Sequence, residues 1–566
     1  MQNGLALVLV LCASVIPLRA SQPVQAKHGM VVAQEPIAAD TGLKVLKSGG
    51  NAVDAAIAVG FALAVTHPSA GNIGGGGFML IRLANGTTTF LDFREAAPQK
   101  ATRDMYIGPD GSPTRESIVG WRASGVPGSV AGFEFAHQKF GSKSWSSLLA
   151  PAVQLARDGF VVDDAFAAAL NAPDSRLKLD PESKRIFLRD GNPYKPGDTF
   201  RQPELASTLA RVAKNGAKEF YDGDTAKRFS AAMAAHGGLI TVDDLKSYKV
   251  IERAPLNGDY KNFHIITAPP PSAGGIGLLQ MMGILAGTRY ETAGPDSATA
   301  VHYEAEAMRR FYADRSEYLG DPSFYNVPVK ALLDPAYLAW RRGTIDPARA
   351  TPSDLIRPGL PKSLDAKNAR IRLIESSETT HYNVVDEKGN AVAVTYTLNG
   401  SYGNAITVPG LGFLLNNEMD DFVAKPGEPN MFGLVGGDAN AIEPGKRPLS
   451  SMTPTIITQN GKLFMVVGAP GGSRITTGVM EVILNVLDFH MNAQDAVDLP
   501  RFHHQWQPDI LYLQNGFRQD TEAALRNMGY QVRSTDSVAR VEAIVARENT
   551  LEGGTDSRAH GKVSGY

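Results

Sequence analysis

The stretch Ser376-Ser377-Glu378-Thr379-Thr380-His381-Tyr382 ends in the first strand of a hairpin, and its reading decides the fold. Residues 381–385 alternate and are mostly apolar. Lys388-Gly389-Asn390 supplies a turn, and residues 391–398 return. A threonine at the head of such a hairpin gains a use if it becomes a chain terminus. Its hydroxyl is a weak nucleophile, but a free α-amine has a reference pKa of about 7.7–8.0 and accepts a proton near neutrality. Thr379 would then supply nucleophile and base together. In the returning strand, alternation places Thr395, Thr397 and Asn399 on one face, where they could orient such a group. A row of solvent-facing β-formers is an equally good reading of that strand.

Two further hairpins flank this one in sequence. Gly74 to Gly77 lead into a strand at 78–83, Asn85-Gly86 turns the chain, and 87–93 return. Residues 455–458 and 462–467 flank Asn460-Gly461, and a helix over about 476–489 follows. Asp40 is read as the N-cap of a helix ending at Gly49-Gly50. Residues 52–65 read as a second, buried helix. Residues from about 140 to 375 read as mostly helical and include the apolar segment Gly274–Leu285. Hairpins in both halves with apolar helices between them predict an α/β (α+β) protein of stacked sheets covered by helices.

Composition narrows the function. The chain has 566 residues, 43% hydrophobic and 20% charged, and a net charge of -2 gives no basic face for nucleic acid. Residues 5–18 form an apolar run ending in small residues, short of the roughly 20 that span a bilayer. Residues 1–20 are therefore expected to be a signal peptide, the protein periplasmic or secreted, and no membrane anchor to remain after its removal. The single cysteine, Cys12, lies in that run, so the mature chain would contain no disulfide, thiol nucleophile or cysteine-bound metal. Eleven histidines are scattered without an HExxH pattern, and His503-His504 would point apart on a strand. No metal or cofactor is expected.

Other segments carry chemistry of their own. Val467-Gly468-Ala469-Pro470-Gly471-Gly472-Ser473-Arg474 is a strand entering a glycine turn before a helix, and exposed N–H groups there suit a developing oxyanion. A phosphate loop would need the Lys-Ser/Thr that is missing. Arg94, closing Leu91-Asp92-Phe93-Arg94-Glu95, has the planar fork for a carboxylate. Asn417-Glu418-Met419-Asp420-Asp421 offers acceptors for an ammonium, and Ser450-Ser451 offers hydroxyl donors.

In this order these segments resemble the γ-glutamyltranspeptidase family of N-terminal-nucleophile hydrolases. The likeness is carried by Thr379-Thr380-His381-Tyr382, Thr395-Tyr396-Thr397-Leu398-Asn399, Asn416-Asn417-Glu418-Met419-Asp420-Asp421-Phe422, Lys446-Arg447-Pro448-Leu449-Ser450-Ser451-Met452 and Gly468-Ala469-Pro470-Gly471-Gly472-Ser473-Arg474. Gly71-Asn72-Ile73-Gly74-Gly75-Gly76-Gly77-Phe78 and Asp92-Phe93-Arg94-Glu95 also fit.

The resemblance implies a four-layer αββα sandwich and self-cleavage between Glu378 and Thr379. That would give a large subunit, 21–378, and a small catalytic one, 379–566. It implies Thr379 as nucleophile, Thr397 as its hydroxyl partner, and Gly471 and Gly472 as the oxyanion hole. Arg94, Ser450 and Ser451 would hold a substrate α-carboxylate, while Asp421, Glu418 and Asn399 would hold its α-amine. Glutathione and related γ-glutamyl amides would be the donors, and water or amino acid and peptide amines the acceptors. A lid loop is expected between Pro426 and Gly437. Many bacterial relatives place a tyrosine where this chain has Phe432, which removes one latch to Asn399 and predicts an easier opening. The pattern around Asp556-Ser557-Arg558 is altered, which bears on maturation. Related acylases act on glutaryl groups, which lack an α-amine. Such a substrate would leave Asp421 without its partner, at about 1–3 kcal/mol or more.

Overall fold

The computed structural model describes residues 22–172, 175–360 and 379–566. The leader at 1–20 and Glu378 lie outside the described residues.

Two seven-stranded antiparallel sheets lie face to face. The first runs Lys562–Gly565, Met30–Ala33, Thr380–Val385, Ala391–Thr397, Gly76–Arg82, Thr88–Phe93 and Ile251–Arg253. The second runs Val24–Ala26, Leu551–Thr555, Glu542–Ala546, Lys462–Gly468, Thr455–Gln459, Phe263–Thr267 and Leu256–Tyr260. Strand alternation then sorts the core into layers. Phe78, Leu80, Ala391 and Ala393 pack between the sheets with Ile456 and Val466. Met79, Ile81, Val392 and Val394 face outward onto the helix Ala52–Thr66. Helices Gly274–Leu285, Ala298–Tyr318 and Ile475–Leu487 cover the outer face of the second sheet. The result is the expected αββα sandwich.

Local chemistry explains the layers. Every residue of Ala52–Thr66 is buried, as a helix apolar on all its faces beyond the first turn requires. Asn51 and Asp54 close a reciprocal capping box at its start. The glycines Gly74, Gly75, Gly76 and Gly77 are packing glycines, because a Cβ on each would strike a backbone carbonyl of Leu414, Thr397, Phe93 or Thr395. They let the segment at 397–414 lie directly on the hairpin.

Two expectations are corrected. The first helix, Pro36–Lys47, is capped by Glu35, whose carboxylate accepts from the N–H groups of Ile37 (2.9 Å) and Ala38 (2.8 Å), with Pro36 fixing the first turn. Asp40 instead accepts from Lys562 Nζ (2.8 Å) and Ser564 Oγ (2.7 Å) on the C-terminal strand. The region read as mostly helical also contributes Ile251–Arg253, Leu256–Tyr260 and Phe263–Thr267, all strands near a sheet edge.

Both sheets are built of strands from before and after position 379. A cut there would leave two chains that share one core.

Candidate active site

Thr379 stands just ahead of the strand Thr380–Val385, which pairs with Ala391–Thr397 through Thr380↔Tyr396 and His381↔Thr395. That register brings Thr397 beside Thr379, and the Thr397 hydroxyl donates to Thr379 Oγ1 at 3.3 Å. Thr397 Oγ1 in turn accepts the Asn399 N–H at 2.9 Å, which fixes the direction of its own proton. Asn72 holds the turn by donating from Nδ2 to the Thr397 carbonyl at 2.8 Å.

The row predicted on one strand face divides into three jobs. Thr395 meets the ring of His381 at 2.8 Å. That ring also touches Asn383 at 2.9 Å, and full burial pushes its pKa down to about 3, so it is neutral. Thr397 serves Thr379. Asn399 lies past the strand end, in the left-handed region at φ 77°, and donates to the Asn417 carbonyl at 2.9 Å. Asn399 is thus turned by backbone geometry rather than by strand alternation.

Gly471 (φ 142°) and Gly472 (φ 55°) form the turn before Ile475–Leu487. Among the described residues, neither N–H of this pair donates to a protein acceptor. A Cβ on Gly471 would lie 2.8 Å from Ala539 Cα, and one on Gly472 would lie 2.6 Å from the Phe432 ring. The turn is therefore pressed between two segments. Behind it, the buried Arg501 donates to the carbonyls of Val538 (2.9 Å) and Ala539 (3.2 Å) and pairs with Asp556. Burial raises the Asp556 pKa, but the charges of Arg501 and Arg558 more than offset this and leave it below the usual carboxylate range. The altered C-terminal pattern thus keeps a buried ion pair that braces the glycine turn.

At the other end of the site, the fully buried Arg94 pairs with Glu418 through Nη1 and with Asp421 Oδ2 through Nη2 at 2.5 Å. Its Nε also donates to the Pro448 carbonyl at 3.3 Å. Burial disfavours the guanidinium charge, yet Glu418 and Asp421 more than restore it. Glu95, at 3.9 Å from Arg94, has both carboxyl oxygens buried without a hydrogen-bond partner, and burial pushes its pKa up to about 7. Glu418 is raised as well, chiefly by burial. Three carboxylates thus crowd around Arg94.

These groups meet. Thr379, Thr397, Asn399, Arg94, Glu418, Asp421, Ser450, Ser451, Phe432 and Gly472 all line one cavity of about 20 Å³. That is room for roughly one water, so admitting an amino-acid side chain requires movement.

The obvious moving part is the loop over the cavity. Its Met431 N–H donates to Asp420 Oδ2 (2.9 Å), and Gln505 Nε2 donates to the Phe432 and Gly433 carbonyls at 3.2 and 3.1 Å. Met431 Sδ lies 3.8 Å from Asn399 Nδ2. Backbone bonds and a thioether contact therefore hold the loop where Phe432 has no hydroxyl to offer.

The arrangement has the parts for acyl transfer: an oriented hydroxyl, unclaimed N–H groups, and paired charges lining the same cavity. The comparisons agree. The sequence profile described as Gamma-glutamyltranspeptidase matches residues 38–566. The chain belongs to the γ-glutamyltranspeptidase family. It is an autoprocessed N-terminal-nucleophile hydrolase by kinship. It is 49% identical over 540 residues to the glutathione hydrolase proenzyme of Escherichia coli (strain K12), covering 95% of this chain and 91% of that one. The Acylase ACY 1 proenzyme of Pseudomonas sp. (strain V22) is 36% identical, with 95% and 94% covered. Among solved structures, a cephalosporin acylase from Bacillus halodurans superimposes with a TM-score of 0.86 at 27% identity, covering 99% of both chains. The Helicobacter pylori gamma-glutamyltranspeptidase does so with a TM-score of 0.58 at 42% identity, covering 62% of this chain and all of that one.

Sequence reasoning named most of this cavity. Asn72 and Glu95 stood inside motifs without assigned work, and Asn417 and Asp420 had only a shared place in a run of ammonium acceptors. Arg315 and Asn430 were missed altogether. Asn430 donates to Asp421 Oδ1 at 3.2 Å.

Proposed function

We propose that the chain is a glutathione hydrolase and γ-glutamyltransferase whose nucleophile is Thr379, freed by self-cleavage after Glu378. The observation that carries this is the single cavity with the Thr379–Thr397 hydroxyl pair at one end and Arg94 with Asp421 at the other. Maturation begins when Thr379 Oγ1 attacks the Glu378 carbonyl. The peptide nitrogen leaves as the α-amine, and water hydrolyses the resulting ester. The subunits 21–378 and 379–566 remain together through the shared sheets. In turnover the Thr379 amine takes the hydroxyl proton while Oγ1 attacks the γ-carbonyl. The oxyanion rests on the Gly471 and Gly472 N–H groups, and the departing amine carries the proton away. Water or an acceptor amine then resolves the γ-glutamyl ester.

Arg94, Ser450 and Ser451 are read as the α-carboxylate site. Asp421, Glu418 and Asn399 are read as the amine site. Admission of the donor requires Arg94 to be released from Asp421 and the loop bearing Phe432 to lift. Residues 1–20 act as an export signal and direct the enzyme to the periplasm or outside the cell. No helix among the described residues is long and apolar enough to cross a membrane.

A second reading, glutaryl acylase action, is favoured by the acylase relatives. Hydrolysis of γ-glutamyl and glutaryl p-nitroanilides separates the two. The γ-glutamyl donor is expected to win by roughly 10- to 100-fold in kcat/KM, because a glutaryl group leaves the Asp421 charge unanswered. Equal rates, or a glutaryl preference, would overturn the assignment.

The oxyanion reading predicts the behaviour of Gly472→Ala. The added methyl meets the Phe432 ring at 2.6 Å and tilts the amide away from the cavity. The expected loss in kcat is on the order of 10²- to 10³-fold. A change confined to KM would place the oxyanion elsewhere.

A further inference from the structure

Helix Ala298–Tyr318 carries a run of buried charges, and Glu306, Arg309, Arg310 and Asp314 among them are answered. Arg309 pairs with Glu306 (3.1 Å) and Asp509 (2.6 Å), and Arg310 pairs with Glu306 (2.7 Å). Asp314 pairs with Arg341 and accepts the Gly359 N–H at 2.9 Å. Arg315, in the last turn, is the one buried arginine of the helix that has no ion pair among the described residues. It is 6% exposed, its Nε is buried without a hydrogen-bond partner, and its guanidinium makes no ion pair with any described residue. A buried cation without an anion is costly and asks for a ligand of opposite charge.

Its position says which ligand. Arg315 lines the cavity of Thr379, Arg94, Ser450 and Ser451. It also borders an adjoining cavity of about 490 Å³, the two sharing Arg315, Asp421 and Leu434. The other cation in the Thr379 cavity, Arg94, is already shared by Glu418 and Asp421. A γ-glutamyl group brings one carboxylate and one ammonium. Glu95 stands behind Arg94 and outside the cavity lining, so with Arg94 and Arg315 facing Glu418 and Asp421 those two charges enter a lining of two cations and two carboxylates. Without Arg315 the incoming carboxylate meets a site that is one positive charge short.

We infer that Arg315 is a specificity-determining residue that reads the donor's α-carboxylate together with Arg94. The inference rests on the γ-glutamyl reading of the site. Arg315 performs no chemistry at Thr379. It sets which donors the site accepts.

The test compares three p-nitroanilides on the purified, matured enzyme: γ-glutamyl (carboxylate and amine), glutaryl (carboxylate only) and 4-aminobutyryl (amine only). Arg315→Gln is expected to raise KM for the two carboxylated donors by roughly 10- to 100-fold, with kcat changed by less than about threefold. The 4-aminobutyryl donor is expected to show an unchanged or lower KM, since removing a cation favours a cationic ligand. Arg315→Lys keeps the charge but loses the fork, and should fall between. Equal shifts for all three donors, or none, would overturn the inference and mark Arg315 as a structural residue. If Arg315→Gln fails to split at Thr379, the pattern in Arg315→Lys decides by the same criterion. A wild-type enzyme inactive on the γ-glutamyl donor would instead refute the function proposed above.

Discussion

Replacement of Thr379 by alanine is expected to leave the chain in one piece, where the wild type yields two fragments, the smaller beginning at Thr379. The side chain is 5% exposed and its hydroxyl takes one 3.3 Å bond from Thr397. Removing it costs the fold about 1 kcal/mol, small beside the whole stability. A folded, uncut chain is therefore the predicted product, with circular dichroism matching the wild type. Amidase activity should fall by on the order of 10⁶-fold, since nucleophile and base are lost together. Thr379→Ser, which keeps both, should still split and turn over. Intact mass and N-terminal sequencing check the first point, and p-nitroaniline release checks the second. An alanine variant that still splits at this peptide bond would assign the cleavage to another group and remove the basis for the mechanism.

What the sequence made legible was local. The hairpins at 78–93, 381–398 and 455–467 announce themselves through Asn-Gly or Gly-Asn turns between alternating runs, and the helix Ala52–Thr66 through the apolar run at 55–65. Leu256–Tyr260 and Phe263–Thr267 were not legible. The first is a half-exposed edge strand containing Asn257, Gly258 and Asp259, and pairing with Phe263–Thr267 gives it form. The C-terminal Lys562–Gly565 similarly needs Met30–Ala33, more than five hundred residues away in the chain.

The site followed the same rule. Thr379, Thr397, Gly471 and Gly472 sit in short motifs whose chemistry can be argued in place. Arg315 sits in a helix with two other arginines, and only the packing shows that its charge goes unanswered. The pairing of Arg94 with Asp421 was also beyond a linear reading. Carboxylate and guanidinium from segments over three hundred residues apart lie 2.5 Å from each other.

That contact sets the second large effect. Asp421→Asn keeps the shape of the side chain and its place beside Arg94 and Asn430, but removes the charge. Arg94 retains Glu418, so the cation is not stranded and the fold should hold. The donor's ammonium, by contrast, loses its strongest acceptor. A charged hydrogen bond in a buried site is worth about 2–4 kcal/mol, which is roughly 30- to 1,000-fold in kcat/KM for a γ-glutamyl anilide. The glutaryl anilide presents no ammonium, so its kcat/KM should stay within about threefold of wild type or rise, because the variant no longer buries an unanswered carboxylate. The ratio of the two donors is therefore the informative quantity: a general loss of folding or maturation cancels in it, whereas recognition of the amine does not. The preference is expected to narrow by at least about tenfold and to approach that of an acylase. An unchanged ratio would mean that the α-amine is held elsewhere, with Glu418 the remaining carboxylate in the cavity to carry it.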